Sequence, residues 1–374
     1  DDNRIEIVFS ITKQSYWIGK GGRANRDNDD INPVVELFDR IFIDESSQVS
    51  VADSLTTLAL LTSGGRLGLF GDPLQMPPIQ SIEPPLGAEH MVGSLHQYLR
   101  TRFSQVRAEE AFLKYNYRSC EPIVRYARMI GYKDEFTSKV PNRALAYAGH
   151  GNAPAGWPAG VPWWLVYDRI LDSRLPCVAV TYDDGISGQA NDFEAALVAG
   201  TVVAYRTSEK IRLGAAFNES QFWTQSQGVV TPHRAQRSTV VELLRVSLMP
   251  EAVPVNLIED AVDTVERFQG GERDLILVSF GVGDPDFIRS EETFLFQRER
   301  INVAISRARA KAVLFISRDL LFHLPEDKDV VSASRAIKWF AYKLAHERDH
   351  AVRLAYNGEE REVEIRYTGY DNLT

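Results

Sequence analysis

The run Leu275-Ile276-Leu277-Val278-Ser279-Phe280 is apolar at nearly every position. A strand with that pattern is buried on both faces, unlike one that alternates apolar and polar residues. It belongs in a parallel sheet with layers on either side, and the rest of the chain alternates to match. Residues 5–12, 40–43 and 67–70 read as strands, and 50–61 as a helix with Val51, Leu55, Leu58 and Leu61 on one face. A second set opens near residue 111. Its strands are predicted at 112–115, 178–182, 228–230, 261–265, 275–280 and 311–316. Its helices are predicted at 121–130, 191–206, 236–248, 298–308 and 332–347, with Pro122 in a first turn, where proline is tolerated. The stretches 19–30 and 141–162 read as irregular, and 363–367 as a strand of unassigned use. The fold class is α/β, with one kind of layer used twice. The expected divisions are 1–107, 108–350 and a C-terminal tail, 351–374.

Composition narrows the function less than the fold. A chain of 374 residues is long enough for two or three domains with their own cores. Lys plus Arg is 42 against Asp plus Glu at 51, a net charge of −9, which is not the balance of a simple nucleic-acid coat. A local basic groove within an acidic protein still suffices to bind nucleic acid. Cys120 and Cys177 are too few for a four-thiolate zinc or iron–sulfur site and read as buried free thiols. They point to a reducing, intracellular location. No apolar run approaches membrane-spanning length, so no membrane is expected among the partners.

Six strings carry chemistry. Arg40-Ile-Phe-Ile-Asp-Glu-Ser-Ser-Gln48 ends a strand in Asp44 and Glu45, placing two carboxylates at a sheet edge where one can hold Mg²⁺ and its neighbour polarise a water. Gly71-Asp72-Pro73-Leu74-Gln75-Met76-Pro77-Pro78 follows the next strand. Tyr115-Asn116-Tyr117-Arg118-Ser119 opens the second layer; an arginine fork stays charged and binds phosphate bidentately. Gly228 to Gln236 reads strand–turn–helix, and Thr231 with the first helix amides can hold a phosphate. His233 has no companion at metal-ligand spacing and reads as a polar contact. Val262 to Ser279 holds Gln269-Gly270-Gly271-Glu272, where paired glycines let a backbone approach a ligand. Arg300-Ile-Asn-Val-Ala-Ile-Ser-Arg-Ala-Arg309 is a basic helical string. Taken singly, most of these are ordinary surface: an acidic turn, a proline-rich turn, a glycine hairpin.

Together and in this order, they resemble motifs II to VI of superfamily 1 helicases, in the branch of the up-frameshift (nonsense-mediated-decay) helicases. The resemblance runs from about Ile5 to Ser317. It implies two RecA-like parallel-sheet domains, the first incomplete, with ATP and Mg²⁺ in the cleft between them and single-stranded nucleic acid, DNA or RNA, as partner. It assigns Asp44 to the metal, Glu45 to the attacking water and Gln75, beside them, to γ-phosphate sensing. Arg118 would reach the γ-phosphate and Arg307 would be the arginine finger, with Arg300 and Arg309 structural or in contact with the nucleic-acid backbone. Tyr117 would stack on adenine, and Gly270 and Glu272 would lie near the γ-phosphate and ribose. Thr231, Pro232, His233, Arg234, Gln236 and Thr264 would line the nucleic-acid side. Polarity by resemblance would be 5′ to 3′.

One departure qualifies the match. No Gly-x-x-x-x-Gly-Lys-Ser/Thr occurs, and Gly19-Lys20-Gly21-Gly22 lacks that spacing. In the family this phosphate-binding loop lies upstream of residues resembling 6–12. The expectation is therefore a chain that starts too late to include it, is inactive alone, and has the missing N-terminal part of the same protein as a partner. The rival is a helicase-like module that binds nucleic acid or protein without turnover. Two geometric expectations follow. Asp44, Glu45, Gln75, Arg118, Glu272 and Arg307 converge because each ends or follows a buried strand, and Thr231, His233, Arg234 and Gln236 share a surface.

Overall fold

A computed structural model describes residues 36–78, 93–102, 110–149, 165–268 and 271–370. They form two compact units that divide between Ala111 and Phe112. The strand expected at 5–12, the loop at 19–30 and Gly270 lie outside the described residues.

In the first unit, β1 (Phe38–Ile43) and β2 (Leu61–Leu69) pair in parallel, with Ile41 opposite Leu67 and Ile43 opposite Leu69. Ile41 and Ile43 point into a small core with Leu60 and Leu95, while Arg40 and Phe42, which alternate with them, face out. Between the strands lies α1 (Val51–Leu58), whose N-cap Ser50 accepts the Asp53 amide at 3.0 Å. A cap of this kind contributes about 1 kcal/mol. The helix is shorter than its apolar spacing predicts because Leu61 opens β2, opposite Phe38. A register shift between Phe38 and Arg40 absorbs the extra residues. Helix α2 (Leu95–Arg102) adds Leu95 to the same core.

The second unit is built on an eight-stranded sheet. Its parallel part has the order β5 (Cys177–Tyr182), β9 (Ala308–Ser317), β8 (Arg273–Ser279), β6 (Gln227–Thr231), β7 (Val262–Thr264). All six residues of β5 are buried, as are Leu275 to Ser279 of β8, so the apolar run has the two covered faces its pattern demands. Burying such side chains stabilises by about 1.5–3 kcal/mol each. The cover includes α4 (Asp192–Leu213), α5 (Arg234–Leu248), α6 (Arg298–Ser306) and α7 (Lys328–Lys338). Ahead of them, α3 (Glu121–Ile130) carries Pro122 in its first turn. Cys120 and Cys177 are free and buried.

Three features differ from the sequence reading. The strand expected at 112–115 shrinks to β3 (Tyr115–Asn116), paired with β4 (Thr137–Ser138), because the Asn116 side chain turns back to accept the amides of Arg118 and Ser119 at 2.8 and 2.7 Å. The tail strand finds a use: β12 (Glu359–Thr368) lies antiparallel on β5 and pairs also with β10 (Glu347–Arg348) and β11 (Val352–Tyr356). And the two strands read on either side of a polar turn, β7 and β8, are not neighbours: β6 lies between them and all three are parallel. The parallel order puts the end of β7 and the start of β8 at different ends of the sheet, with Phe268 packed on Gly228 of β6. It leaves Thr264 and Glu272 at opposite edges. No helix among the described residues is long and apolar enough to cross a membrane.

Candidate functional site

In the first unit, β1 delivers Asp44 and Glu45 to its C-terminal end, both exposed. Asp44 Oδ1 accepts the Glu45 amide at 2.9 Å, and Gln48 Nε2 donates to Glu45 Oε2 at 3.1 Å. Glu45 has φ 49°, a left-handed conformation that costs a side-chain-bearing residue about 1 kcal/mol. The turn is held by the Ser46 amide donating to Phe70 O at 2.8 Å, which ties it to the end of β2. Gly71 has to be glycine here: a Cβ would lie 2.6 Å from Ser46 Oγ and 2.9 Å from Ser47 N. The two motif turns are thus pressed together. Gln75 itself bonds within its own turn, donating to Asp72 Oδ2 at 3.2 Å.

His96, which the sequence reading passes over, backs this turn. Its Nδ1 shares a hydrogen bond of 3.2 Å with Ser46 Oγ, and burial, then the charge of Arg100, lowers its pKa. Fifty residues separate the partners, so no local pattern reveals the pair. Two exposed carboxylates fit an ion such as Mg²⁺, which takes few protein ligands and keeps waters or phosphate oxygens. Among the described residues no group of three His, Cys, Asp or Glu side chains could hold a metal by itself.

The second unit carries its arginines at the N-terminal edge of β8 and β9. Arg118 Nε donates to Glu272 Oε2 at 2.6 Å, and Arg118 Nη1 reaches Ser306 O at 3.5 Å. Ser119 Oγ donates to Ala308 O at 2.8 Å and the Cys120 amide to Arg309 O at 2.9 Å, lacing the segment after β3 onto the start of β9. Arg309 pairs with Asp274 at 2.9 Å and approaches Glu272 at 3.7 Å. Burial raises the Asp274 pKa, and burial, then Arg309, lowers that of Arg273. Arg307, between α6 and β9, is 6% exposed, and its carbonyl accepts the Arg273 amide at 3.1 Å. Tyr117 is exposed. Arg118, Glu272 and Arg307 thus gather at one place, with one correction: Glu272 and Arg307 precede their strands instead of following them, so the edge is the N-terminal one. Arg300, about two turns before Arg307 and on α6, pairs with Glu266 and stacks on Phe294 at 3.9 Å, and burial lowers its pKa to about 10.

At the C-terminal edge the expected strand-contact residues are placed differently from expectation. Thr231, Pro232, Gln236 and Thr264 are buried, His233 is half-buried, and only Arg234 is exposed. Thr231 Oγ1 donates to His233 O at 3.0 Å, and Thr231 O accepts the Val265 amide. His233 lies against Phe294 and Phe287, and burial, then Arg300, lowers its pKa. It is the N-cap of α5 but makes no side-chain cap bond. Gln236 is 0% exposed, which corrects its placement on a shared surface: polar side chains leave the surface when a buried network satisfies them. That network centres on Glu194 in the first turn of α4, which accepts Ser279 Oγ at 2.6 Å and the Gly281 amide at 2.8 Å. Burial pushes the Glu194 pKa up to about 7. In sequence Glu194 shows only as the third residue after the helix cap Asn191, a common and uninformative position.

A family model described as an AAA domain matches residues 94–319, more than half of the chain, and the chain belongs to that family. It is 28% identical over 310 residues to a DNA replication ATP-dependent helicase/nuclease, DNA2, of Mus musculus, covering 78% of this chain and 26% of that protein. It is 26% identical over 295 residues to the Arabidopsis thaliana helicase/nuclease JHS1, covering 77% and 19%, and 25% identical over 305 residues to the putative helicase MOV-10 of Gallus gallus, covering 74% and 29%. The chain therefore spans between a fifth and a third of the length of these relatives. The mainly parallel α/β sheet is that of a RecA-like domain.

Proposed function

We propose that this chain carries the motif II to VI portion of an ATP-dependent superfamily 1 helicase of the up-frameshift branch, acting on single-stranded nucleic acid. The observation that carries the reading is the gathering of Arg118, Glu272 and the Arg307–Arg309 segment at one sheet edge, the first from a string more than 150 residues before the others. Bound ATP would supply the phosphoanhydride that is cleaved, and Mg²⁺ would neutralise its charge. Asp44 would hold the metal and Glu45 orient the water, with Gln48 fixing its carboxylate. Arg118 and Arg307 would bring positive charge to the γ-phosphate, where an arginine is worth several orders of magnitude in rate. Tyr117, exposed and adjacent, offers a ring face to adenine. The uncapped first turn of α5 and the exposed Arg234 would meet the nucleic-acid backbone.

Helicase names among the relatives support this class, and the match to longer proteins is consistent with further parts contributing to the phosphate site. The test is strand-stimulated hydrolysis of Mg·ATP in a protein that includes this chain and a phosphate-binding loop, with Glu45→Gln beside the wild type. Loss of hydrolysis with ATP binding retained supports the reading. Hydrolysis at the wild-type rate in Glu45→Gln overturns the role of the acid turn. A wild-type protein that binds single strands but never hydrolyses ATP establishes the rival, a binding module.

A further inference from the structure

The amide of Gln236 is held at both ends. Its Oε1 accepts the Asn191 amide at 2.9 Å, and its Nε2 donates to Ser279 Oγ at 2.9 Å and lies 3.4 Å from Glu194 Oε1. Glu194 in turn receives Ser279 Oγ, the Gly281 amide and, on its other oxygen, the Tyr182 hydroxyl. Tyr182 ends β5, Ser279 ends β8, and Gln236 lies in the first turn of α5, directly after β6. One buried carboxylate thus gathers the ends of two strands and the helix that follows a third. The backbone is shaped to fit: Gly281 has φ 65°, and a Cβ there would lie 2.5 Å from Gln236 Oε1.

Stability alone does not call for this arrangement, since apolar side chains of similar shape would fill the space without burying a carboxylate. A satisfied polar network instead fixes one geometry. We propose that Glu194 and Gln236 are positioning residues for the turn 231–236: Glu194 fixes the Gln236 amide, and Gln236 sets the direction in which Arg234 and the first amides of α5 face a nucleic-acid backbone. The proposal rests on the reading of that turn as a strand contact.

The test uses the full chain, with fluorescence anisotropy of a labelled oligothymidylate and a labelled oligouridylate, and hydrogen exchange of the amides of 234–236. Glu194→Gln keeps the shape but removes the charge and one of the two acceptor oxygens that hold Ser279, Gly281 and Tyr182. Affinity should fall about tenfold, the loss expected when a buried hydrogen bond is left unmade, and the three amides should exchange faster. The double variant Glu194→Gln/Gln236→Glu, which restores a carboxylate facing an amide, should recover part of the affinity, an effect that a merely structural role would not give. Should Glu194→Gln fail to fold, Ser279→Ala removes one donor at little cost in volume and should still weaken binding by about threefold. Wild-type binding that is untouched by the folded variants, or not recovered by the double variant, overturns the inference alone. A wild-type chain that binds neither strand overturns the reading of the turn and the inference with it. A preference for one oligonucleotide still shows strand binding and supports both.

Discussion

The two ends of the parallel sheet in the second unit are built on opposite principles. At the N-terminal edge, Arg118, Glu272, Arg309 and Asp274 form a chain of ion pairs, and the side chains of the Arg118–Glu272 pair are 37% and 41% exposed. At the C-terminal edge, Glu194, Gln236 and Ser279 are fully buried and hydrogen-bonded to one another. Half-exposed ion pairs are worth little to stability and exchange partners readily, which suits an edge that must receive an anion. A buried network is stiff, because each unmade bond costs its full desolvation penalty. The first edge is a place for chemistry, and the second a frame that aims a surface.

The sharpest way to break this contrast is to remove one arginine from each edge. Arg307→Ala should lower strand-stimulated ATP turnover by about a thousandfold, with strand affinity nearly unchanged. Arg234→Ala should do the reverse, weakening strand binding and flattening its salt dependence while leaving turnover at saturating strand close to wild type. Phosphate release and anisotropy on the same preparations decide it. Equal losses of both activities in both variants would erase the division of labour.

A second test concerns stiffness. Gly281→Ala forces a Cβ onto Gln236 in a left-handed conformation. The expected destabilisation is about 3 kcal/mol, summing overpacking and backbone strain, read as a lower denaturation midpoint. A shift within error would show that the C-terminal edge relaxes more easily than its packing indicates.

The edges should also respond to pH in opposite directions. Glu194 holds its proton up to about pH 7 in the folded state, against 4.5 as its ordinary value. Between these values the folded state binds more protons than the unfolded, so this group makes stability fall as pH rises, by at most about 1.4 kcal/mol per pH unit. Lys311 of β9 donates to the carbonyls of Asp172 and Leu175, near the start of β5, and burial lowers its pKa from 10.5 to about 7. There the unfolded state binds more protons, so stability rises with pH from about 7 to 10.5. Denaturation midpoints across pH should lose the acid limb in Glu194→Gln and the alkaline limb in Lys311→Met. A limb that survives its substitution belongs to another group.

Much of this was legible in the residues, and the parts that were not share a cause. The all-apolar run of β8 announced a doubly covered strand, and the strand–helix alternation announced the α/β class. Even the edge assignment was available: Glu272 stands before Leu275 and Arg307 before Lys311, so both had to lie at the starts of strands. What local sequence hides is burial imposed from afar. Gln236 is a polar residue at a helix start, and Glu194 and Asn191 at the start of α4, with Ser279 at the end of β8, take it out of water. His96 meets the acid turn from fifty residues away. The strand at 363–367 looked unemployed because its partner, β5, is some 180 residues earlier.

The smallest expected effect is at the ion pair itself. Glu272→Gln removes the carboxylate charge facing Arg118 and keeps its shape. Both side chains are more than a third exposed, so solvent screens the pair, and the change in stability should stay below about 1 kcal/mol. Arg309 limits even that, because it keeps Asp274 as a partner at 2.9 Å when Glu272 is neutralised. The same substitution frees a guanidinium that the carboxylate had been neutralising. An anion such as pyrophosphate should therefore bind Glu272→Gln somewhat more tightly than wild type, with the gain shrinking as salt rises. Calorimetric titration alongside a denaturation curve measures both. A loss of several kcal/mol in stability would make the N-terminal edge a structural frame like the C-terminal one, and unchanged pyrophosphate affinity would mean that Arg118 is not held in reserve for an anion.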